Sequence, residues 1–273
     1  MDLAVVLTCF NRKELTLRCV STLTESAESV PELKILFYIW DDASSDGTAE
    51  ALGREFDNVR VFKGPGNYYW SRGMYSAMSE AVKGDHELYL MVNDDVIFYP
   101  DSIRIMIDSY KRSGGCCGIV GTTRNGDDVT YGGKDEKFSD IPPTGNLIRC
   151  RYSNWNCFLT DRDVINKVGV INPKYRHAFG DYDYSGRMNR RGIPQYVATD
   201  YIGECELNDR TEDYLDPSRS VINRIKALSS PKGLPIGGFY RFHWVDKGFR
   251  GIVIATYSYF RLIIRIFTVR LRL

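Results

Sequence analysis

Short apolar runs alternate with segments of helical period through the first 111 residues of the chain. Four of these runs predict buried strands: Leu3–Cys9, Ile35–Trp40, Val59–Lys63 and Glu87–Val92. The intervening and following segments predict helices: Asn11–Leu23, Thr48–Phe56, Ser71–Val82 and Asp101–Lys111. Strands that alternate with helices through short loops form βαβ units, which place parallel strands side by side. The pattern therefore predicts an α/β fold with a mostly parallel central sheet flanked by helices.

The second half of the chain is less regular and ends in a strongly basic segment. Gln195–Thr199 predicts a last strand, Pro231–Gly238 a loop, and Gly251–Leu273 a long apolar and basic helix. Residues 239–273 hold seven Lys and Arg and one Asp, a net charge of +6, whereas the rest of the chain carries −5. We therefore expect an α/β domain over residues 1–238 and a basic amphipathic helical region over 239–273.

Composition and missing motifs exclude several classes of protein. Apolar residues make up 43% and charged residues 26% of the 273 residues, which excludes a coiled coil or a disordered chain. No basic stripe interleaves with the aromatics of the acidic body, so we expect no nucleic-acid partner. The seven cysteines include no CxxC pair, and the chain has neither a P-loop nor a glycine fingerprint in its first βα turn. The first residues lack a secretory pattern, so we expect reduced thiols and a cytoplasmic location.

Carboxylates follow two of the predicted strands at the point where each strand ends. Asp41-Asp42 come after the second strand, and Asn93-Asp94-Asp95 come after the fourth. Ligands of open α/β sheets bind beyond the carboxyl ends of the strands. Mg²⁺ and Mn²⁺ prefer such oxygen ligands together with the phosphates of a substrate. The pattern predicts a divalent cation, Mn²⁺ or Mg²⁺, at this edge. The alternative is that carboxylates here cap helices and turns, which we favour for Asp46.

Four short motifs occur in a fixed order along this α/β pattern. They read Val5-Val6-Leu7-Thr8-Cys9-Phe10-Asn11-Arg12, Trp40-Asp41-Asp42-Ala43-Ser44-Ser45-Asp46-Gly47-Thr48, Met91-Val92-Asn93-Asp94-Asp95-Val96, and Gly180-Asp181-Tyr182-Asp183-Tyr184 with Arg187. They resemble, in this order, the nucleotide-binding turn, the DD-S-DGT segment, the DxD region and the ED-x-D…R stretch of family 2 glycosyltransferases. The resemblance covers nearly the full length of the chain. Residues 66–74, 230–235 and 241–243 also resemble segments of bacterial members that build surface polysaccharides.

The resemblance implies the GT-A fold of nucleotide-diphospho-sugar transferases, with a site for a nucleotide-sugar donor. The implied donor-binding residues are Thr8, Phe10, Asn11, Asp41, Asp42, Asn67, Arg72, Asn93 and Asp94. Asp95 is the implied principal ligand of the cation, which offsets the charge that develops on the diphosphate leaving group. Family members often place a His late in the metal site. Here Gly203-Glu204-Cys205-Glu206 occupies the expected region and His243 is the nearest alternative, so the late ligand stays open.

The chain departs from the family pattern at two positions. Asn93 stands where the family often has the first Asp of the DxD region, and Gly180 stands where it has the Glu of the ED-x-D stretch. A neutral side chain at position 93 removes one formal charge from the metal site. The departure therefore leaves Asp95 as the main expected ligand.

The acidic motif that opens the helix at 181–191 supplies the candidate base. A carboxylate placed here can take the proton of an acceptor hydroxyl as it attacks the anomeric carbon. The resemblance assigns this role to Asp181, with Asp183 in reserve. One base without a covalent nucleophile implies inversion at the anomeric carbon. The alternative is that these two carboxylates serve as favourable charges at a helix N-terminus.

Two ring-bearing side chains are candidates for binding the acceptor. Trp155 can stack on a sugar, and His177 precedes the acidic motif, where it can face the acceptor. The alternatives are a core position for Trp155 and a surface position for His177.

The C-terminal segment has the pattern of a basic amphipathic helix. One stripe of the helical wheel holds Tyr257, Ser258, Arg261, Arg265, Thr268 and Arg272. Most apolar residues lie off that stripe: Val253, Ile254, Phe260, Ile263, Ile264, Phe267 and Leu271. This pattern is typical of an interfacial anchor, so we expect a peripheral protein at the inner face of the cell membrane, bound to its anionic surface. The alternative is a helix packed on its own core or on the second subunit of a homodimer.

Together these features predict a hexosyl- or deoxyhexosyltransferase that moves a sugar, with inversion, from a nucleotide-diphosphate donor to a lipid-linked bacterial glycan. One alternative is a nucleotidyltransferase that forms a nucleotide sugar. Such an enzyme normally needs a glycine-rich, basic first loop, and Thr8–Arg12 has no glycine. Another is a non-catalytic glycan-binding or assembly subunit, which would keep the aromatics without needing Asp95 and Asp181.

Overall fold

The computed structural model describes residues 1–207 and 213–269, which form twelve strands, eight α-helices and one short 3₁₀ helix (Val82–Gly84) within those ranges. The strands are β1 (Asp2–Cys9), β2 (Lys34–Asp41), β3 (Val59–Lys63), β4 (Leu88–Val92), β5 (Ile97–Phe98), β6 (Gly118–Asn125), β7 (Asp128–Tyr131), β8 (Gly133–Lys134), β9 (Ile148–Cys150), β10 (Tyr152–Ser153), β11 (Cys157–Asp161) and β12 (Gln195–Glu204). The helices are α1 (Lys13–Ala27), α2 (Thr48–Glu55), α3 (Tyr69–Ala81), α4 (Ser102–Ser113), α5 (Arg162–Val168), α6 (Gly180–Arg190), α7 (Val221–Ser229) and α8 (Ile236–Thr268).

One ten-stranded sheet forms the centre of the molecule, in the order β3-β2-β1-β4-β11-β6-β12-β5 with β7 and β9 on its margins. The first four strands in this order are parallel, and β12 is parallel to β6. Strand β11 runs antiparallel to both of its neighbours. The prediction of an α/β fold with a mostly parallel sheet is confirmed, and the carboxyl ends of β1, β2 and β4 meet at one edge.

The central strands are buried on both faces, which is why they read as unbroken apolar runs rather than as alternating ones. Leu3, Val5 and Leu7 of β1 belong to the core on one face of the sheet, which α1 and α4 cover. Ala4 and Val6 belong to the core on the other face, which holds residues of α3, α5 and α6. The period of two along a strand assigns successive side chains to opposite cores.

Two elements of the second half differ from their predicted bounds. Strand β12 continues to Glu204 rather than ending at Thr199, with register shifts near Val197 and Tyr201 that a periodicity argument does not detect. Helix α8 begins at Ile236, inside the predicted loop. The carbonyl of Pro235 accepts hydrogen bonds from the next turn, so this proline starts the helix rather than preventing it.

Helix α8 is broken at Gly248, whose φ of 58° and ψ of −137° are not helical. Residues 236–247 pack against α6 and are tied to the domain by Asp246, which accepts hydrogen bonds from Arg151 and Tyr152 at 2.7 Å each. These contacts join residues on both sides of residue 238, the predicted boundary between the α/β domain and the C-terminal helical region. The boundary itself remains a prediction. The part after Gly248 is the basic amphipathic segment that the sequence indicates.

The segment of α8 after Gly248 has one buried and one exposed side. Ile266 packs against Leu228 of α7, and the guanidinium of Arg224 donates to the carbonyl of Ile266. An apolar stripe on the same segment is 45–77% exposed; we call it the α8 stripe, and it consists of Phe249, Val253, Tyr257, Phe260, Ile264 and Phe267. Helix α8 is also the one described helix that is long and apolar enough to span a membrane. Leu271 and Arg272 lie outside the described residues.

Candidate active site

An ion-pair cluster lies at the sheet edge where β1 and β4 end. A guanidinium nitrogen of Arg12, Nη1, is 2.9 Å from a carboxylate oxygen of Asp95 and 3.3 Å from one of Asp94. Thr16 of α1 donates a longer bond of 3.4 Å to the other oxygen of Asp94. The two carboxylates therefore converge on one point, and the guanidinium of Arg12 occupies it.

Burial sets the electrostatics of this cluster. Loss of solvent and the neighbouring charge of Asp95 raise the pKa of Asp94 to about 7, although Arg12 acts in the opposite direction. Asp95 also receives a weak hydrogen bond from the thiol of Cys205, with 3.7 Å between Sγ and Oδ1. Burial and the charge of Asp95 raise the pKa of Cys205 to about 12, so this side chain is a neutral thiol at physiological pH.

Asn93 holds the end of β4 through its amide. Its Oδ1 accepts from Trp70 Nε1 at 2.7 Å, and its Nδ2 donates to Asn156 Oδ1 at 3.1 Å. A carboxylate is unable to donate the second bond, so an Asp in this place would lose the link to Asn156. This network gives a physical reason for the departure from the family pattern. The side-chain amide of Asn93, which is predicted to bind the donor, therefore forms these hydrogen bonds within the protein.

The turns after β1 and β2 are held together by short polar side chains. Asn11, in the left-handed conformation with φ of 50°, accepts from the backbone of Ser45 at 2.8 Å. Asp41 accepts from the backbone of Ser44 at 2.8 Å, and Thr8 donates to the carbonyl of Trp40 at 3.0 Å. The ring of Phe10 remains half-exposed at the same edge. Of these predicted donor-binding residues, Phe10 and Asn11 are the exposed ones.

A structural role is also evident for Asp46, as the capping alternative predicts. Its carboxylate accepts from the backbone N–H groups of Lys13 and Thr48 at 3.0 and 3.1 Å. Thus it joins the starts of α1 and α2.

Asp42 organises the loop before α3. Its carboxylate accepts from the backbone N–H groups of Gly66, Tyr68 and Tyr69 at 3.0, 2.7 and 3.2 Å. These bonds fix the loop that carries Asn67, an exposed residue predicted to bind the donor. Three amide donors stabilise the carboxylate and take up both of its oxygens. The structure thus shows Asp42 supporting a loop of the candidate site.

Stacked side chains connect this loop to Arg72, another residue predicted to bind the donor. The rings of Trp40 and Tyr68 stack at 5.6 Å, and the guanidinium of Arg72 lies over Tyr68 at 5.4 Å. The contact between cation and ring restrains Arg72, which forms no ion pair with the residues that the structure describes.

The candidate base lies in the first turn of α6. Asp181 is 8% exposed, and burial raises the pKa of its carboxyl to about 7. The backbone N–H groups of Tyr182 and Trp155 interact with the carboxylate and lower the pKa, which partly offsets the burial. A carboxyl with a pKa near 7 and a small exposed area is well suited to exchange a proton with a bound substrate.

The reserve candidate, Asp183, occupies a different environment two residues later. It is 0% exposed, and both of its oxygens are engaged. Tyr175 donates to one oxygen and Arg187 Nε to the other, each at 2.9 Å. Arg187 also donates to the carbonyls of Val168 and Val170, so this pair joins α6 to the segment after α5. Asp183 therefore has a structural role in this arrangement.

One short segment joins the two acidic centres. The backbone of Trp155 interacts with Asp181. The next residue, Asn156, donates from Nδ2 to the sulfur of Cys205 at 3.4 Å, and the Cys205 thiol in turn contacts Asp95. Trp155 thus contacts the candidate base, and the adjacent Asn156 is linked through Cys205 to the candidate cation site.

The structure corrects the acceptor prediction for Trp155. Its side chain is 0% exposed, stacks on Phe158 at 5.2 Å and meets Tyr184 edge-on at 4.9 Å. Neither face of the indole is free for a sugar, because both lie in the core beneath the site. The contribution of Trp155 to the site is its backbone.

His177, the other acceptor candidate, is largely buried rather than on the surface. Burial, together with the positive charges of Lys232 and Arg12, lowers the pKa of its imidazole to about 4. Its Nδ1 is inaccessible and has no hydrogen-bond partner in the described part of the chain. The imidazole is therefore neutral at physiological pH.

His243, the alternative late metal ligand, lies in an aromatic cluster of α8. Its ring contacts Phe239 at 4.5 Å and Phe242 at 5.2 Å. Burial lowers the pKa of its imidazole, and the charge of Asp246 acts in the opposite direction. Within residues 1–207 and 213–269 no three His, Cys, Asp or Glu side chains group into a metal site. Cys205, rather than His243, is the late residue that contacts Asp95.

Sequence reasoning did not assign a role to Arg12 or Cys205. Both stand inside segments that the motif comparison singled out, Arg12 as the last residue of the segment that resembles the nucleotide-binding turn and Cys205 where the family often has its late His. Their contacts with Asp95 depend on a tertiary approach between β1, β4 and β12 that no local pattern reveals.

Comparison with known proteins identifies a matching family and several solved structures with a similar fold. A sequence model described as glycosyl transferase family 2 matches residues 4–173. No curated protein matches the chain at a significant level. The match includes β1, α3 and the acidic edge after β4, and it ends before α6.

Solved glycosyltransferases share the fold at low sequence identity. A mannosyltransferase from Pyrobaculum calidifontis, solved with GDP-Man and Mn²⁺, is 14% identical with a TM-score of 0.57 over 95% of this chain and 75% of its own. S. aureus TarS 1–349 is 14% identical with a TM-score of 0.59, over 98% of this chain and 90% of its own. GalNAc-T7, solved with UDP, GalNAc and Mn²⁺, is 12% identical with a TM-score of 0.56, over 84% and 48%. These likenesses confirm the predicted GT-A fold.

Proposed function

The chain belongs to glycosyl transferase family 2, and we propose that it transfers a sugar, with inversion, from a nucleotide-diphosphate donor to a hydroxyl of a lipid-linked bacterial glycan. The observation that carries the proposal is the junction at Trp155 and Asn156. It brings a pair of carboxylates at the sheet edge close to a separate carboxyl with a raised pKa. A sugar transferase needs these two functions side by side, one for the leaving group and one for the attacking hydroxyl.

The carboxylates at the sheet edge fit a divalent cation. Asp94 and Asp95 converge on the single nitrogen of Arg12, so their oxygens approach one point in space. Mg²⁺ and Mn²⁺ are often held by one or two carboxylates and completed by substrate phosphates, so the donor set is sufficient. Two of the structural neighbours hold Mn²⁺ with a nucleotide or a nucleotide sugar. When bound, the cation would replace the guanidinium of Arg12 between these two carboxylates and would supply charge compensation for the diphosphate.

The carboxylate of Asp181 acts as the general base in this proposal. It receives the proton of the acceptor hydroxyl while the hydroxyl oxygen forms the new bond to the anomeric carbon and the diphosphate leaves. Its position in the first turn of α6 favours the ionised form, and its burial keeps the pKa near the working pH. Because the other carboxyl of the motif, Asp183, is fully engaged in an ion pair, no second carboxylate of α6 is free to act as a nucleophile. A single direct displacement gives inversion.

Binding of nucleoside diphosphates tests the proposal without knowledge of the acceptor. We expect UDP, GDP or dTDP to raise the melting temperature in the presence of Mn²⁺, and the matching monophosphate to do so less. Saturation at about 100 times Kd stabilises the folded state by about 2.7 kcal/mol. For a domain of this size, each kcal/mol raises Tm by roughly 2–4 °C. A Tm unaffected by all three diphosphates at millimolar concentration contradicts the proposed donor class.

The membrane-facing part of the proposal rests on the α8 stripe. Its six members recur at helical spacing along one face and are exposed, while exposed arginines flank them at positions 250, 261 and 265. The opposite face is packed on α7 through Ile266, so lipid is unable to surround this helix. Apolar side chains beside basic ones favour the headgroup boundary of an anionic membrane. This arrangement supports a peripheral position at the inner face of the cell membrane, where a lipid-linked acceptor is within reach.

Sedimentation with vesicles tests this surface. We expect the protein to bind vesicles with acidic lipid, less strongly at high salt because the Debye length shortens. The variant Phe260→Ser/Phe267→Ser removes two exposed rings and is expected to lower the partition coefficient at least roughly tenfold, since each buried ring is worth about 1.5–3 kcal/mol. The control is Leu15→Ser, which removes an exposed apolar side chain of α1.

Two outcomes contradict the membrane proposal. One is equal vesicle binding by the double variant and the wild-type protein. The other is a wild-type protein that ignores acidic vesicles at low salt and instead forms a dimer that the same double variant dissociates, as the homodimer alternative predicts.

A further inference from the structure

A cavity of about 290 Å³ opens between the segment before α6 and the connection from α7 to α8. Its basic lining residues are Lys174, Arg176 and Arg241, and His177 and Pro231 also face it. None of the lining residues is acidic. The cavity includes part of the segments 230–235 and 241–243, which the sequence comparison singled out and the mechanism above does not use.

The three basic side chains have no acidic partner in the described part of the chain. Neither Lys174, Arg176 nor Arg241 is within ion-pair distance of a described Asp or Glu, although fourteen such contacts occur elsewhere. Like charges around one cavity repel one another, and an anion within it converts that repulsion into attraction. The lining therefore matches a ligand with negative charge.

The two guanidinium groups are held in place before any ligand arrives. Arg176 lies over the ring of Tyr69 at 4.9 Å, and Arg241 lies over the ring of Tyr175 at 5.5 Å. Arg176 also donates to the carbonyl of Asn67 at 2.9 Å. Stacking on a ring leaves the N–H groups at the rim of each guanidinium available, in the planar arrangement that suits phosphate oxygens.

A buried polar atom in the lining lacks a partner. Nδ1 of His177 is inaccessible and has no hydrogen-bond partner among residues 1–207 and 213–269. Leaving a buried polar group unsatisfied is costly, and because this atom is inaccessible to solvent, a ligand in the cavity would satisfy it only if the imidazole ring turns. The imidazole is neutral, so it can donate or accept according to its tautomer.

The cavity is close in sequence to the candidate base, and no residue of the metal edge lines it, although the charge of Arg12 acts on the lining residue His177. The carbonyl of Arg176 accepts from the backbone of Ser71, which fixes the segment to the start of α3. The same segment continues within five residues to Asp181. None of the lining residues belongs to the turns that hold Asp94 and Asp95. The donor diphosphate is assigned to that edge, so the cavity suits a second anionic group.

We propose that this cavity binds a phosphate or diphosphate ester of the acceptor, placing the acceptor hydroxyl near Asp181. The inference rests on the proposed function, because it is the transfer reaction that requires an acceptor beside the base. It adds a substrate class: acceptors with an anionic group bind in this cavity, and neutral glycans lack that contact.

Calorimetric titration with inorganic pyrophosphate tests the cavity directly. Titrations contain EDTA, so that the probe is unable to bind through a metal, and are run with and without UDP or GDP at a concentration that a separate titration in EDTA shows to saturate the protein. We expect pyrophosphate to bind the wild-type protein with the same affinity in both conditions. The variant Lys174→Gln/Arg241→Gln is expected to bind at least tenfold more weakly, and Lys174→Gln alone several-fold more weakly. The control Lys111→Gln/Arg250→Gln removes two exposed basic groups elsewhere and should bind as the wild type does.

The outcomes separate this inference from the proposed function. Pyrophosphate that competes with the nucleotide, or cavity variants that lose nucleotide affinity instead, would identify the cavity as part of the donor site and overturn the proposal. Unchanged pyrophosphate affinity in the folded Lys174→Gln variant and in the double variant also overturns it. If instead no nucleoside diphosphate binds the wild-type protein even with Mn²⁺, the failure is that of the proposed function, and the pyrophosphate titrations remain interpretable on their own.

Discussion

Replacing Asp181 by asparagine is expected to lower kcat at least ~10²-fold while nucleotide binding and the fold are retained. The two side chains have nearly the same shape, so the interactions of Tyr182 and Trp155 with position 181 are largely kept. What the variant loses is the ability to take a proton from the acceptor hydroxyl. Steady-state turnover of the donor with acceptor, compared with Kd for the nucleoside diphosphate, separates the chemical step from binding.

The pH dependence of the wild-type enzyme gives a second readout of the same residue. Burial raises the pKa of Asp181 to about 7, so the carboxyl is protonated and inactive as a base below that pH. Turnover should therefore rise with pH through about 7 and level off above it. The assay contains saturating Mn²⁺, because a bound cation holds Asp94, whose pKa is also raised to about 7, in its ionised form. Under this condition the residual activity of Asp181→Asn should lack the rise. A wild-type profile that is flat between pH 5 and 8 contradicts the assignment.

Asp183→Asn is the matched control within the same helix turn. Its carboxylate is fully buried against Arg187, and removing one partner of a buried ion pair costs about 3–5 kcal/mol of stability. We expect this variant to melt earlier but, below its melting temperature, to retain the pH profile of the wild-type enzyme. Should Asp183→Asn lose turnover and the pH profile while Asp181→Asn keeps both, the base is Asp183.

Replacing Asp95 by alanine is expected to abolish transfer and the Mn²⁺-dependent part of nucleotide binding. Asp95 is the more accessible of the two carboxylates that converge on Arg12, and it contacts the thiol of Cys205. Without it, one carboxylate remains for the cation and the positive charge of Arg12 is less well compensated. The side chain lies at the edge of the sheet, so the fold should be retained.

Titration of Mn²⁺ and nucleotide by calorimetry measures the effect of Asp95→Ala. The control is Asp128→Ala, which removes an exposed carboxylate of β7 far from the acidic edge in sequence. In the wild-type protein EDTA should remove the same part of the binding energy as the substitution does. Undiminished turnover of Asp95→Ala, with EDTA also harmless, contradicts a metal role for this carboxylate.

The fold of the first half was predictable because each element has a strong local signal. Strand β4 reads as five consecutive apolar residues because both of its faces are buried, and Asp94 and Asp95 follow where it ends. Parallel strands bring such ends to one edge, so the acidic edge followed from the order of the elements. Here local periodicity and tertiary structure agree.

The second half was harder to predict because tertiary contacts determine its elements. Strand β12 has register shifts and three partner strands, of which β6 is parallel and β5 and β9 are antiparallel, so no single period describes it. Helix α8 starts directly after Pro235, a residue whose local sequence context predicts a loop. In such regions the neighbouring elements, rather than the local sequence, select the conformation.

Within the site, residue type was predictable but exposure was not. Asp181 and Asp183 are the same residue type in the same helix turn, yet one interacts with backbone amides at a small exposed surface and the other lies in a sealed ion pair. Trp155 carries an aromatic ring that the core covers completely. Arg12 and Cys205 belong to the site through approaches between distant strands. Burial and pairing are properties of the packed chain, which a motif does not encode.

Release of nucleoside diphosphate from sugar donors tests the central claim most directly. The wild-type protein, Asp95→Ala and Asp181→Asn are incubated with Mn²⁺ and the UDP-, GDP- and dTDP-linked sugars, and the free diphosphate is measured with and without a phosphate-bearing glycan acceptor. We expect the wild-type protein to release diphosphate from at least one donor, faster with acceptor, and both variants to lose that release. A folded wild-type protein that binds a diphosphate but releases none from any donor, or variants as active as the wild type, would contradict the assignment of the two acidic centres to sugar transfer.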